Sequence, residues 1–120
     1  MTVRPPSNLF QRGAPKAPQD ALEYELAQEK AFALGRMGRR LEAALAALSA
    51  FDAAREPGAA LPAEDKRERA GLVADAGVAL WHFVVQREAL GLRDSARLMR
   101  DYRVPAEVRD RMGAFPSRDG

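Results

Sequence analysis

Apolar residues recur three and four apart through Leu34, Met37, Leu41, Ala44, Leu48 and Phe51. That spacing lays them along one stripe of an α-helix, and Leu45 widens the stripe. The helical pattern covers residues 20–56. At its start, Asp20 is placed to accept a hydrogen bond from the Glu23 N–H in a capping box. At its end, Pro57-Gly58 cannot continue it. A helix of this length spans about 55 Å, more than a compact domain of 120 residues is wide. It must fold back on a partner helix or pair with another chain.

A second helical pattern runs from Ala63 to Leu90, entered through Pro62 and carrying Glu64 and Asp65 in its first turn, where acids complement the helix dipole. Its middle, Val78 to Val85, is apolar nearly all round and should be covered on several sides. Gly91 ends it as the residue past the C-cap. Asp94 then caps a short third helix, Ser95 to Tyr102. Val104-Pro105 interrupts the chain before a fourth, Ala106 to Met112, closed by Gly113. Residues 1–19 hold Pro5, Pro6, Pro15 and Pro18, which exclude a regular helix, so a disordered basic arm is expected, with Leu9-Phe10 as its one apolar anchor. Residues 20–113 form the helical domain, and 114–120 a frayed tail.

Short loops make neighbouring helices antiparallel. Turning the chain at residues 57–62 sets position i level with about 119 − i. Gly35 and Gly38 then form a notch for the Trp81 indole. Nearer the turn, Ala43, Ala44, Ala47 and Ala50 face Ala70, Gly71, Ala74 and Gly77, allowing close backbone approach. At the open end, Glu25, Glu29 and Lys30 meet Arg87, Glu88 and Arg93, with Glu29–Arg87 and Lys30–Glu88 as expected ion pairs. A ligand or partner site is expected in that cluster if anywhere. The two short helices, with Leu98, Met99, Tyr102, Val108 and Met112, should fold over the same end. The fold class is therefore all-α: a long antiparallel helical hairpin, two short C-terminal helices and a disordered N-terminal arm.

Charge changes the picture little. The chain has 16 Arg, 3 Lys and 24 Ala, a bias typical of high-GC bacterial coding. Residues 1–19 carry Arg4, Arg12 and Lys16 and no acid, while the remainder carries 16 basic and 17 acidic residues. The body is near neutral, and a neutral body releases few counterions from a phosphate backbone. No cysteine is present, which excludes disulfide, thiolate and Cys-ligated metal chemistry. No apolar run reaches the ~18 residues of a membrane span, and no hydrophobic signal core opens the chain, so a cytoplasmic location is expected.

Candidate chemistry is thin. His82 is the single histidine, so no two-histidine metal site can form, and it sits between Trp81 and Phe83 as a core residue would. Glu25 and Glu29 share a helix face without a second acidic pair opposite them. Phosphate-loop, dinucleotide and nucleophile-elbow motifs are missing, and neither Ser49 nor Ser95 has a histidine nearby in sequence. No catalytic residue, cofactor or metal is expected, and the protein is read as a non-enzyme. A rival reading places nucleic acid on residues 95–113, which loosely resemble a helix-turn-helix with Arg109 and Arg111 on its second helix. Glu107 and Asp110 on that helix, and Arg103 where the turn often has Gly, count against it.

The runs LEYELAQEKAFALGRMGRRLEAALAALSAFD, WHFVVQREALGLRD and YRVPAEVRDRMG, with the VRPP-type N-terminus, resemble a family of short alphaproteobacterial proteins of unknown function. The resemblance implies a small helical bacterial protein and transfers no site residues. A two-helix hairpin of this length leaves its outer stripes poorly covered. The expected function is therefore a structural or protein-interaction module that self-associates as a helical bundle, through Leu26, Phe32, Leu45 and Val85. The expected partner is a second copy or another protein, with no membrane.

Overall fold

The computed structural model describes residues 17–112, all-α, in a first unit that ends at Ala33 and a second that begins at Leu34. Among the described residues four helices follow one another: α1 Pro18–Ala53, α2 Ala63–Ala89, α3 Ser95–Asp101 and α4 Ala106–Met112. No strand occurs among the described residues. Residues 1–16, including Leu9-Phe10, and residues 113–120, which include Gly113 and the tail, lie outside them.

Helix α1 opens earlier than the capping box implied. The Ala17 carbonyl accepts from the Ala21 N–H at 3.0 Å, and Pro18 takes the first helical position, where its missing donor costs nothing. Asp20 therefore lies in the first turn and complements the helix dipole there. The expected arm gives up Pro18 and Gln19 to α1. At the far end α1 stops at Ala53, three residues short of Glu56. Arg55 folds back instead: its Nη1 donates to the Phe51 carbonyl at 2.8 Å and its guanidinium lies 3.5 Å above the Phe51 ring.

In the first unit, α1 is almost bare. From Pro18 to Ala33 only Ala21 and Ala33 are even half-buried, while Leu22 is 58% and Phe32 62% exposed. In the second unit the expected stripe is covered. Leu41, Leu48 and Phe51 are buried, and Leu34, Met37, Ala44 and Leu45 pack around them. Leu45 thus belongs to the protein's own packing and is not an open interface residue. Helix α2 contributes Val73, Ala76, Ala79, Leu80, Phe83 and Val84, and the C-terminal segment adds Leu98, Val104 and Val108. Burying a side chain of Leu, Val or Phe size contributes roughly 1.5–3 kcal/mol, so this shared core is what joins the four segments.

The hairpin register differs from the expected one. Gly38 meets Phe83, and Asp52 meets Arg69, so position i sits level with about 121 − i. Two residues are 200° of helix rotation, and the consequences are large. A Cβ on Gly38 would lie 3.2 Å from Phe83 Cζ and 3.0 Å from Tyr102 Oη, so the notch receives Phe83 and Tyr102, not Trp81. Gly35 is exposed, facing the Arg39 side chain, and Trp81 is 40% exposed. The small residues of α2 are reassigned too. Gly77 is covered by Arg111 of α4, whose Cγ would be 3.1 Å from a Cβ there, and Gly71 has open space. Close approach in α2 is therefore to α4 and not to the alanines of α1.

Helices α3 and α4 pack within the second unit: Leu98 and Val108 are buried, and Arg111 of α4 covers Gly77. Two similar corners aim them. After α2, Gly91 (φ 88°) lets the Leu92 N–H reach the Arg87 carbonyl at 2.9 Å and its own N–H reach Glu88. After α3, Arg103 (φ 53°) does the same: Val104 N–H bonds the Met99 carbonyl at 2.9 Å and Arg103 N–H that of Arg100. Both are Schellman closures; the second is made by a residue that pays steric strain for it.

Candidate functional site

The densest polar constellation lies where α1, α2 and α4 meet. Arg69, on the second turn of α2, donates from Nε and Nη2 to Asp52 at 2.8 and 2.9 Å, and from Nη1 and Nη2 to Glu107 at 2.9 and 2.7 Å. Both carboxylates are held bidentately by one planar fork, a geometry lysine could not reproduce. Hydrogen bonds from Arg69 hold the Asp52 and Glu107 carboxyls below their ordinary values, and those two carboxylates push the Arg69 guanidinium up. Beside this clamp runs an open groove of about 470 Å³, with Leu45, Ser49, Tyr102 and Arg103 along its walls. Tyr102 stacks edge-on to Phe83 with ring centroids 5.6 Å apart, and burial raises its hydroxyl above its ordinary value.

What this geometry achieves is mechanical. All three guanidinium nitrogens are engaged, so the clamp ties three helices together and presents no open cation to the groove. Ser49 lines the groove, and His82 does not. His82 is half-buried beside Trp81, with ring centroids 5.3 Å apart. Among the described residues, no group of three or more His, Asp or Glu is placed to hold a metal ion, and no helix is long and apolar enough to cross a membrane.

The expected open-end cluster falls across the two units. Glu25, Glu29 and Lys30 are exposed on α1 in the first; Glu88 and Arg93 are exposed and Arg87 half-buried in the second. Within the second, Arg87 Nη2 bonds Asp94 Oδ1 at 2.7 Å. Asp94 is consequently not a side-chain cap of α3, although it stands at the N-cap position. Its carboxyl is held below its ordinary value chiefly by Arg87. Of the helix-turn-helix residues, Arg109 is exposed. Arg111 is half-buried against Gly77, and Glu107 is bound to Arg69. The inner face of α4 is therefore occupied by the protein itself.

The Arg69 clamp escaped the sequence reading, although a signal existed. In the expected register Asp52 stands level with residue 67, less than one turn from Arg69. Glu107 had no such signal, because nothing local says where a seven-residue helix docks.

No curated protein and no solved structure matches the chain. A family described as one of unknown function (DUF6665) matches residues 1–119, and the chain belongs to that family.

Proposed function

We propose that this protein is a non-enzymatic, self-associating helical module of the alphaproteobacterial cytoplasm, a structural or protein-interaction piece. The observation that carries the reading is the bare first half of α1. Leu22, Tyr24, Leu26 and Phe32 stand exposed within sixteen residues of helix that bury nothing of their own. An isolated helix of about 12–15 residues is marginal in water, and natural helices of that length are held by packing of an apolar face. A second protein surface supplies that packing, and a second copy of the chain is the simplest source. The clamp supports the same reading, since its charged groups are engaged in holding helices together.

Light scattering on the full chain across a hundredfold concentration range tests this. The expected result is a dimer or larger assembly, with helicity that rises as it forms. A monomer of unchanged helicity at every concentration would overturn it. The rival, nucleic acid on α3 and α4, draws support from the exposed Arg97, Arg100 and Arg109. It requires duplex retention at low salt that is lost in Arg109→Ala.

A further inference from the structure

The corner after α3 holds strain that the fold does not require. Arg103 takes φ 53° in the closure that Gly91 makes at φ 88° after α2, and a glycine would make it without a Cβ clash. Strain kept at a position where a commoner residue would relieve it points to the side chain as the reason. Arg103 lines the groove of about 470 Å³ beside the clamp. It is exposed, and among the described residues its guanidinium has no hydrogen-bond or carboxylate partner.

The groove carries both signs of charge. Asp52 and Glu107, also on its walls, share the single guanidinium of Arg69, which leaves a surplus negative charge there. Arg55, the other cation near Asp52, is bonded to Asp65. The two carboxylates are close enough to repel, since Asp52 works against the lowering of the Glu107 carboxyl. Arg103 pairs with neither of them, so the open cation and the surplus anion are held apart within one groove, with Leu45, Leu48 and Pro105 as apolar wall. We propose that this groove binds a short apolar peptide with both termini free, its carboxylate on Arg103 and its ammonium against Asp52 and Glu107. A guanidinium fork matches a carboxylate, and an ammonium beside two crowded carboxylates relieves their repulsion. Size selects the peptide over a single amino acid, because pockets of ~300–1,000 Å³ take ligands of many more atoms than one residue supplies. The site goes beyond the self-association proposed above and does not depend on it.

Calorimetric titration of the full chain tests it with three probes: leucyl-leucine, its N-acetyl form and its C-terminal amide. Leucyl-leucine should bind one to one, and capping either end should weaken binding about tenfold or more, since each cap removes a charged partner. Arg103→Gly removes the guanidinium and relieves the corner, so it should melt no lower than the wild type and no longer distinguish the free acid from the amide. Arg109→Ala, exposed on α4 and away from the groove, should bind as the wild type does. Should Arg103→Gly fold poorly, the three probes on the wild type decide alone. Absence of binding at millimolar leucyl-leucine, equal binding of a capped form, or an Arg103→Gly variant that keeps its preference for the free acid would each overturn the site.

Discussion

Leu26 and Leu41 lie on the same helix, in equally helical sequence, yet Leu26 is about half exposed and Leu41 is fully buried. Around Leu41 the chain supplies Leu80, Phe83 and the C-terminal helices; among the described residues of the first unit, only Ala21 and Ala33 are even half-buried. The two halves of α1 thus separate the two things a helix needs. Backbone hydrogen bonding and propensity make the cylinder, while burial of a stripe decides whether it contributes to stability.

Substitution can break this contrast. Leu41→Ala should lower unfolding stability by about 3 kcal/mol through lost burial and a residual cavity, and Leu26→Ala by less than ~0.5 kcal/mol in the monomer. Urea denaturation at low protein concentration measures both, and equal losses would mean that the first unit is covered after all. The two glycines of α1 sharpen the comparison at smaller scale. Gly38→Ala pushes a methyl against Phe83 and should be destabilising by about 1 kcal/mol. Gly35→Ala, on an open face, should gain up to about 1 kcal/mol in helix propensity. Opposite signs in thermal melts are the expected signature.

The clamp gives a pH-dependent version. Asp52 and Glu107 have ordinary values of 3.8 and 4.5, and both are lowered in the folded protein. Their contribution is therefore complete at neutral pH and disappears as pH falls from the ordinary carboxylate range through the lowered values. Arg69→Met should lose on the order of 1 kcal/mol at pH 7, the pairs being half exposed, and should show a flatter decline of stability between about pH 5 and 3. An unchanged acid slope in that variant would show that other carboxylates govern acid unfolding. The smallest effect concerns the α3 corner. A left-handed non-glycine residue costs about 1–2 kcal/mol, and glycine returns roughly 0.5–1 of that in unfolded-state entropy. Arg103→Gly should therefore raise the melting temperature slightly, whereas Gly91→Ala, at the equivalent place after α2, should lower it.

Leu26, Phe32 and Val85, read from the sequence as candidate open positions, are exposed, because all three lie off the stripe that the core covers. Leu45 was not readable in this way. Its position at the edge of the stripe makes its fate depend on where Tyr102 and the short helices arrive, and it lies beside them.

By itself the sequence determined the four helices to within three residues at each end. Their causes are local: three-four spacing of apolar residues, Pro18, Pro57, Pro62 and Pro105 as breaks, and Gly91 as a left-handed stop. Only the tertiary structure decided the register of α1 against α2, the docking of α4 over Gly77 and the meeting of Asp52, Arg69 and Glu107. A slip of two residues leaves every local preference unchanged, but turns a helix by more than half a circle. That rotation exchanges Trp81 for Phe83 over Gly38.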